Sequence, residues 1–214
     1  MSDLPPYLSL SERIWYYAFR ILCGAIFFFL VFPLVVIIPL SFNAVPFFTF
    51  TKEMLAFDPA GYSLKWYEDF FTNLNWQGAV QNSVIIAIFS TLISTTLGTL
   101  AALGLSRAQM PYRTLIMSIL ISPMIVPLII SAAGMFFFYS RIGIQGTHIA
   151  VILAHAALGT PFVVITVTAT LSGFDNNLIR ASSSLGAPPS TTFFRVIVPL
   201  ITPGVISGAL FAFI

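Results

Sequence analysis

The sequence predicts an all-α membrane protein, a polytopic helical bundle with about five spans. Three observations predict it. Hydrophobic residues fill 58% of the 214 positions and charged residues only 7%, whereas a soluble domain carries about 25% charge and needs it to cover its surface. The nine Lys/Arg and seven Asp/Glu are also clustered: none lies between Arg20 and Lys52, Asp69 and Arg107, Arg113 and Arg141, Arg141 and Asp175, or after Arg195. Each gap is close to or above the ~20 residues that a helix needs to cross the hydrocarbon core, and none shows the short alternating pattern of a barrel strand. The same composition excludes disorder. A net charge of +2 without a basic cluster excludes a nucleic-acid partner.

The elements follow from the gaps. Residues 1–20 form a short N-terminal segment, and residues 21–42 a first span. That run is too long for a signal-peptide core, so it stays as an uncleaved helix. Its Cys23, the single cysteine, is a small buried hydrophobe. Residues 43–77 are an external loop whose Trp66, Tyr67, Phe70, Phe71 and Trp76 suit the membrane interface. The second span, 80–106, opens on Asn82-Ser83, a good helix start. It carries Gly98, Ala101, Ala102 and Gly104, small residues that let helices approach. The remaining spans are 114–139 with Pro123 and Pro127, 148–171 with Pro161, and 196–214 with Pro199 and Pro203. Each proline removes an amide donor and bends its helix.

Lys/Arg placement sets the orientation. With the N-terminus in the cytosol, Arg13, Arg20, Arg107, Arg113, Arg180 and Arg195 are inside, and Lys52, Lys65 and Arg141 outside.

The spans lack chemistry. None contains a carboxylate, and His155 is their only ionisable group, where an ion-coupled carrier keeps acids near the midplane. His148 and His155 share a helix face without an acidic partner, a weak metal site. No phosphate loop, nucleophile elbow or zinc-binding His pair occurs. The chain therefore reads as a passage or scaffold, not an enzyme, with no metal or cofactor of its own.

Residues 174–204 do not behave as a simple loop. Asp175-Asn176-Asn177 is N-cap chemistry. Leu178, Ala181 and Leu185 form one apolar stripe on a short helix. Gly186 stands where a left-handed residue ends that helix, and Pro188-Pro189 forbids its continuation. Ser190 or Thr191 can cap a second helix carrying Phe193, Phe194 and Val196 back to the membrane. An exposed amphipathic helix of this kind is a docking element for a partner's groove.

The run Arg180-Ala181-Ser182-x-x-x-Gly186, followed by Val196-x-Val198-Pro199, resembles the Glu-Ala-Ala loop of binding-protein-dependent ABC importer permeases. Asn82-Ser83, Ala87, Gly98 and Ala101 resemble the start of the same type 1 transmembrane domain. Tyr62-Ser63-Leu64-Lys65-Trp66-Tyr67 is similar to the spermidine/putrescine group. The resemblance covers about residues 60–214 and implies a permease domain over 78–214. It further implies an ATPase-coupling loop at about 174–200 built on Leu178, Arg180, Ala181, Ser182, Leu185, Gly186 and Pro199. The partners it implies are a cytosolic ATPase dimer holding ATP-Mg, a second permease subunit and an external substrate-binding protein, assembled at the inner membrane around a small solute such as a polyamine. It leaves the substrate path unassigned. Two positions depart from the pattern: Arg180 replaces Glu, and Ser182 replaces the second Ala. The family's six spans, set against five ending in an apolar run at Ile214, imply a sequence truncated at its C-terminus. A secondary carrier or channel, and a membrane scaffold without transport, are the alternatives.

Overall fold

A computed structural model describes Tyr7, residues 9–107 and residues 109–214. Residues 1–6 and 8 of the expected N-terminal segment lie outside the described residues. The chain divides into two compact units, Met1–Gln77 and Gly78–Ile214.

In the first unit, α1 runs unbroken over Leu10–Leu40. It begins well before the expected start at residue 21, because Ser9 and Glu12 form a capping box. The Ser9 amide donates to Glu12 Oε2 at 2.8 Å and the Glu12 amide donates to Ser9 Oγ at 3.3 Å, so free amides of the first turn are satisfied. Arg13 and Arg20 therefore ride on the helix and do not precede it. The segment after α1 is more than a loop. Asn43 is 2% exposed; its Nδ2 donates to the carbonyls of Phe47 and Thr49, while its own carbonyl accepts from Trp66 Nε1. Around it lie α2 (Lys52–Leu55) and α3 (Lys65–Thr72).

The next helix, α4 (Leu74–Leu105), starts eight residues before Asn82. Asn82-Ser83 thus lies inside the helix and does not open it; Asn73 does the local work, its Oδ1 accepting from the Asn75 amide at 3.0 Å. Asn82 Oδ1 instead meets His148 Nε2 at 3.2 Å.

The expected span 114–139 is two helices, α5 (Arg113–Ile125) and α6 (Leu128–Arg141), bent by 100° at the break. Pro127 disfavours a helical conformation at the preceding residue, and Val126 is accordingly extended at ψ 132°. α7 covers His148–Ser172 and α8 covers Asn177–Ser184. α9 (Pro189–Thr192) continues through a wide π turn at Phe193–Ile197 into α10 (Val198–Phe213). The Val198 amide reaches back five residues to Phe193 O. Pro199 has no amide to bond the carbonyl four residues before it, so the helix can widen here at low cost.

Among the described residues four helices are long and apolar enough to cross a membrane, α1, α4, α7 and Pro189–Phe213, and the spans number five if the bent α5–α6 pair counts as one. The core of the second unit is where α4, α7 and α10 meet. Ala102, Val163, Val167 and Ile201 are buried there. Ser90, Ser94, Gly98 and Ala102 form the buried face of α4 at four-residue spacing, the small-residue pattern of close helix packing. Of the small residues singled out in the sequence, Gly98 and Ala102 are on this face, while Ala101 and Gly104 are only half-buried. A Cβ on Gly98 would stand 2.6 Å from Val163 Cβ. One on Gly208 of α10 would stand 2.8 Å from Val163 Cα. Ser94 Oγ closes the contact by donating to Ala156 O at 3.1 Å.

Candidate functional site

The segment singled out in the sequence folds as a helical hairpin, α8 and α9. Asp175 builds its start: the Asn177 amide donates to Asp175 Oδ1 at 2.9 Å and the Leu178 amide to Asp175 O at 3.1 Å. Asn176 is the formal cap residue and uses no side chain. The end is a Schellman motif. The Gly186 amide donates to Ser183 O at 3.0 Å and the Ala187 amide to Ser182 O at 3.1 Å, which satisfies carbonyls left free by the last turn. Gly186 has φ +77°, the left-handed region that a residue with a Cβ enters at a cost.

Across the turn, Pro188 is extended and Pro189 occupies the first turn of α9, where its missing amide costs nothing. Ser190 and Thr191, expected as caps, make no capping bond. Their neighbour Thr192 is 4% exposed, and its hydroxyl lies 2.7 Å from Ser182 Oγ. Ser182, where the resembling family has Ala, thus pins α8 to α9.

The two faces of α8 differ. Ile179 and Ser182 are half-buried towards the bundle. Leu178, Ala181 and Leu185 face outwards, with Leu185 88% exposed. The apolar stripe is therefore left for something outside this chain. Pro199 lies farther on, in the first turn of α10. Arg180 projects into a cleft of about 780 Å³ between α8 and the ends of α4 and α7. Arg107 lines the same cleft. The sequence gives no sign that Arg107 shares a cleft with α8 or that Thr192 bonds to it; no periodic pattern links either to α8.

His155 and Tyr139 line a second cleft, between α6 and α7. His148 is engaged by Asn82 and is separate from it. Among the described residues no three of His, Cys, Asp or Glu converge on a possible metal position. What the arrangement offers is an exposed short helix joined through α9 to the last long apolar helix.

These features define an all-α polytopic membrane protein with a short helical hairpin before its last long apolar helix. The family model described as "Binding-protein-dependent transport system inner membrane component" matches residues 94–214, and the chain belongs to this family: it is a permease subunit of the ABC importer class. The spermidine/putrescine transport system permease protein PotC of Haemophilus influenzae is 30% identical over 188 residues, 88% of this chain and 70% of that protein. The osmoprotective compounds uptake permease protein GgtD of Synechocystis is 30% identical over 148 residues, 69% of this chain and 50% of that one. A crystal structure of a bacterial ABC transporter that imports the acidic polysaccharide alginate is similar in fold. Its TM-score is 0.68 at 16% identity, over 97% of this chain and 72% of that one.

Proposed function

We propose that this subunit forms part of a solute path through the inner membrane and receives its driving motion through α8 from a separate cytosolic ATPase. The observation that carries the reading is the outward stripe Leu178, Ala181 and Leu185 on a helix stopped by a left-handed glycine. A short rigid helix with one apolar face free is suited to a groove. The Ser182–Thr192 bond and the Schellman turn join it to the last span, so a push on α8 reaches the bundle as a rigid displacement. Energy from nucleotide binding elsewhere accounts for spans without carboxylates. In this reading the N-terminus and the hairpin are cytosolic, as the arginine distribution favours. A second permease subunit completes the path, and an external binding protein delivers the solute.

For the solute we propose a polyamine or a similar small amine. Support comes from the PotC relatives, which match over 88% of this chain, whereas GgtD matches over 69%.

The test is purification of the assembled complex in mild detergent, followed by reconstitution. Recovery of an ATPase and a second multi-span chain, with putrescine or spermidine uptake that needs ATP, supports the reading. Uptake without ATP would favour a secondary carrier. Uptake of an osmoprotectant but no amine would keep the permease and remove the polyamine.

A further inference from the structure

We propose that the cleft shared by Arg107 and Arg180 binds an anionic phospholipid, and that this lipid tethers α8 to the bundle. The proposal rests on the reading of α8 as the coupling helix only for its consequence, not for the site itself. The cleft, about 780 Å³, falls in the ~300–1,000 Å³ range of small-molecule sites. Its walls are of two kinds. Leu100, Leu103, Leu171 and Ile197 supply an apolar wall from the spans, and Arg107 and Arg180 supply two guanidinium groups.

No Asp or Glu lines the cleft. The whole unit 78–214 has a single carboxylate, Asp175, against arginines at 107, 113, 141, 180 and 195. Asp175 does not line the cleft; its Oδ1 accepts from the Asn177 amide at the start of α8. The ends of α4 and α7 add some negative potential, but a helix dipole is worth only about half a charge. No acid lining the cleft offsets its two arginines, so it presents a net positive charge to an external anion.

The apolar wall narrows the choice. An inorganic anion or an acidic side chain would answer the arginines and leave the leucines uncovered. A phospholipid answers both, its phosphate held by the guanidinium forks and its acyl chain along the leucines. The cleft also lies where the long apolar helices α4 and α7 end, and basic pockets between spans are a recurrent form of headgroup recognition. Because Arg180 belongs to α8 itself, a lipid held there bridges the hairpin to α4. The Glu of the resembling family's pattern would repel such a phosphate.

The complex, purified in mild detergent and exposed to vesicles of phosphatidylglycerol or of phosphatidylcholine, is weighed by native mass spectrometry. The expected result is retained phosphatidylglycerol and no retained phosphatidylcholine. The double variant Arg107→Gln/Arg180→Gln loses the retained lipid. The charge-matched control Arg113→Gln/Arg141→Gln keeps it. Equal retention in both double variants overturns the proposal. Displacement of the lipid by millimolar inorganic phosphate overturns it in favour of a simple anion site. Loss of the ATPase from Arg180→Gln with lipid retention unchanged assigns the arginine to an acidic protein partner instead. The mass of the permease chain itself reports the lipid whether or not an ATPase is bound, so this proposal and the coupling reading fail separately.

Discussion

The hydroxyls of Ser182 and Thr192 lie 2.7 Å apart, and that bond fastens α8 to the start of the last helix. Ser182→Ala should cost about 1 kcal/mol, the net worth of one such bond, because Thr192 keeps a longer contact to Pro188 O at 3.4 Å. Thr192→Val should cost a similar amount, and the double variant little more than either alone. Thermal unfolding of the detergent-solubilised complex checks this; strictly additive losses would show that the two hydroxyls do not interact.

Gly186 limits α8 by conformation, not by space. No atom lies within 4 Å of where its Cβ would be, yet its φ is +77°. The expected order of tolerance is Gly, then Asn, then Ala, then Val, since Asn enters the left-handed region more readily than other residues with a Cβ. Gly186→Val should cost about 1–2 kcal/mol and reduce transport while membrane insertion persists. Transport assays on the series check it; full transport by Gly186→Val would remove the coupling role.

Gly98 is limited by space. Its Cβ would stand 2.6 Å from Val163 Cβ and 2.8 Å from Val163 Cγ1. Gly98→Ala should lower stability by about 1–3 kcal/mol through overpacking. Val163→Ala should restore part of it, although alone it also destabilises by leaving a cavity. Melting temperatures of the single and double variants decide the point; no rescue would mean that the helices can move apart freely.

Much of the architecture was legible because charge is so costly in hydrocarbon that its gaps mark the spans. Helix ends were less legible. Ser9 and Glu12 begin α1 from outside the apolar run, in a part of the chain that hydropathy ignores. Asn82 had the chemistry of a cap but is spent on His148, a partner on another helix. Pro123 and Pro127 read alike as kinks; only Val126 turning extended makes a 100° break. In the hairpin, the local signals at Asp175, Gly186 and Pro188-Pro189 could be read because caps and turns depend on adjacent residues. The Ser182–Thr192 bond and the convergence of Arg107 and Arg180 on one cleft depend on how two elements dock, which no spacing rule encodes.

Electrostatics offers a milder check. Asp175 Oδ1 accepts from the Asn177 amide at the start of α8; Asp175→Asn should preserve most of that contact and Asp175→Ala should remove about 1 kcal/mol. Limited proteolysis of the 174–190 segment reads the difference, with Ala cut faster than Asn. Equal cutting of all three proteins would show that the cap does not hold the hairpin.

The central claim is that α8 is the contact with a separate ATPase. A photo-crosslinking amino acid in place of Leu185, 88% exposed at the outer edge of α8, tests it most directly in native membranes. One dominant adduct is expected, an ATP-binding subunit, whose yield changes with the nucleotide supplied. Adducts only to lipid or to another multi-span chain, with no nucleotide dependence, would contradict it.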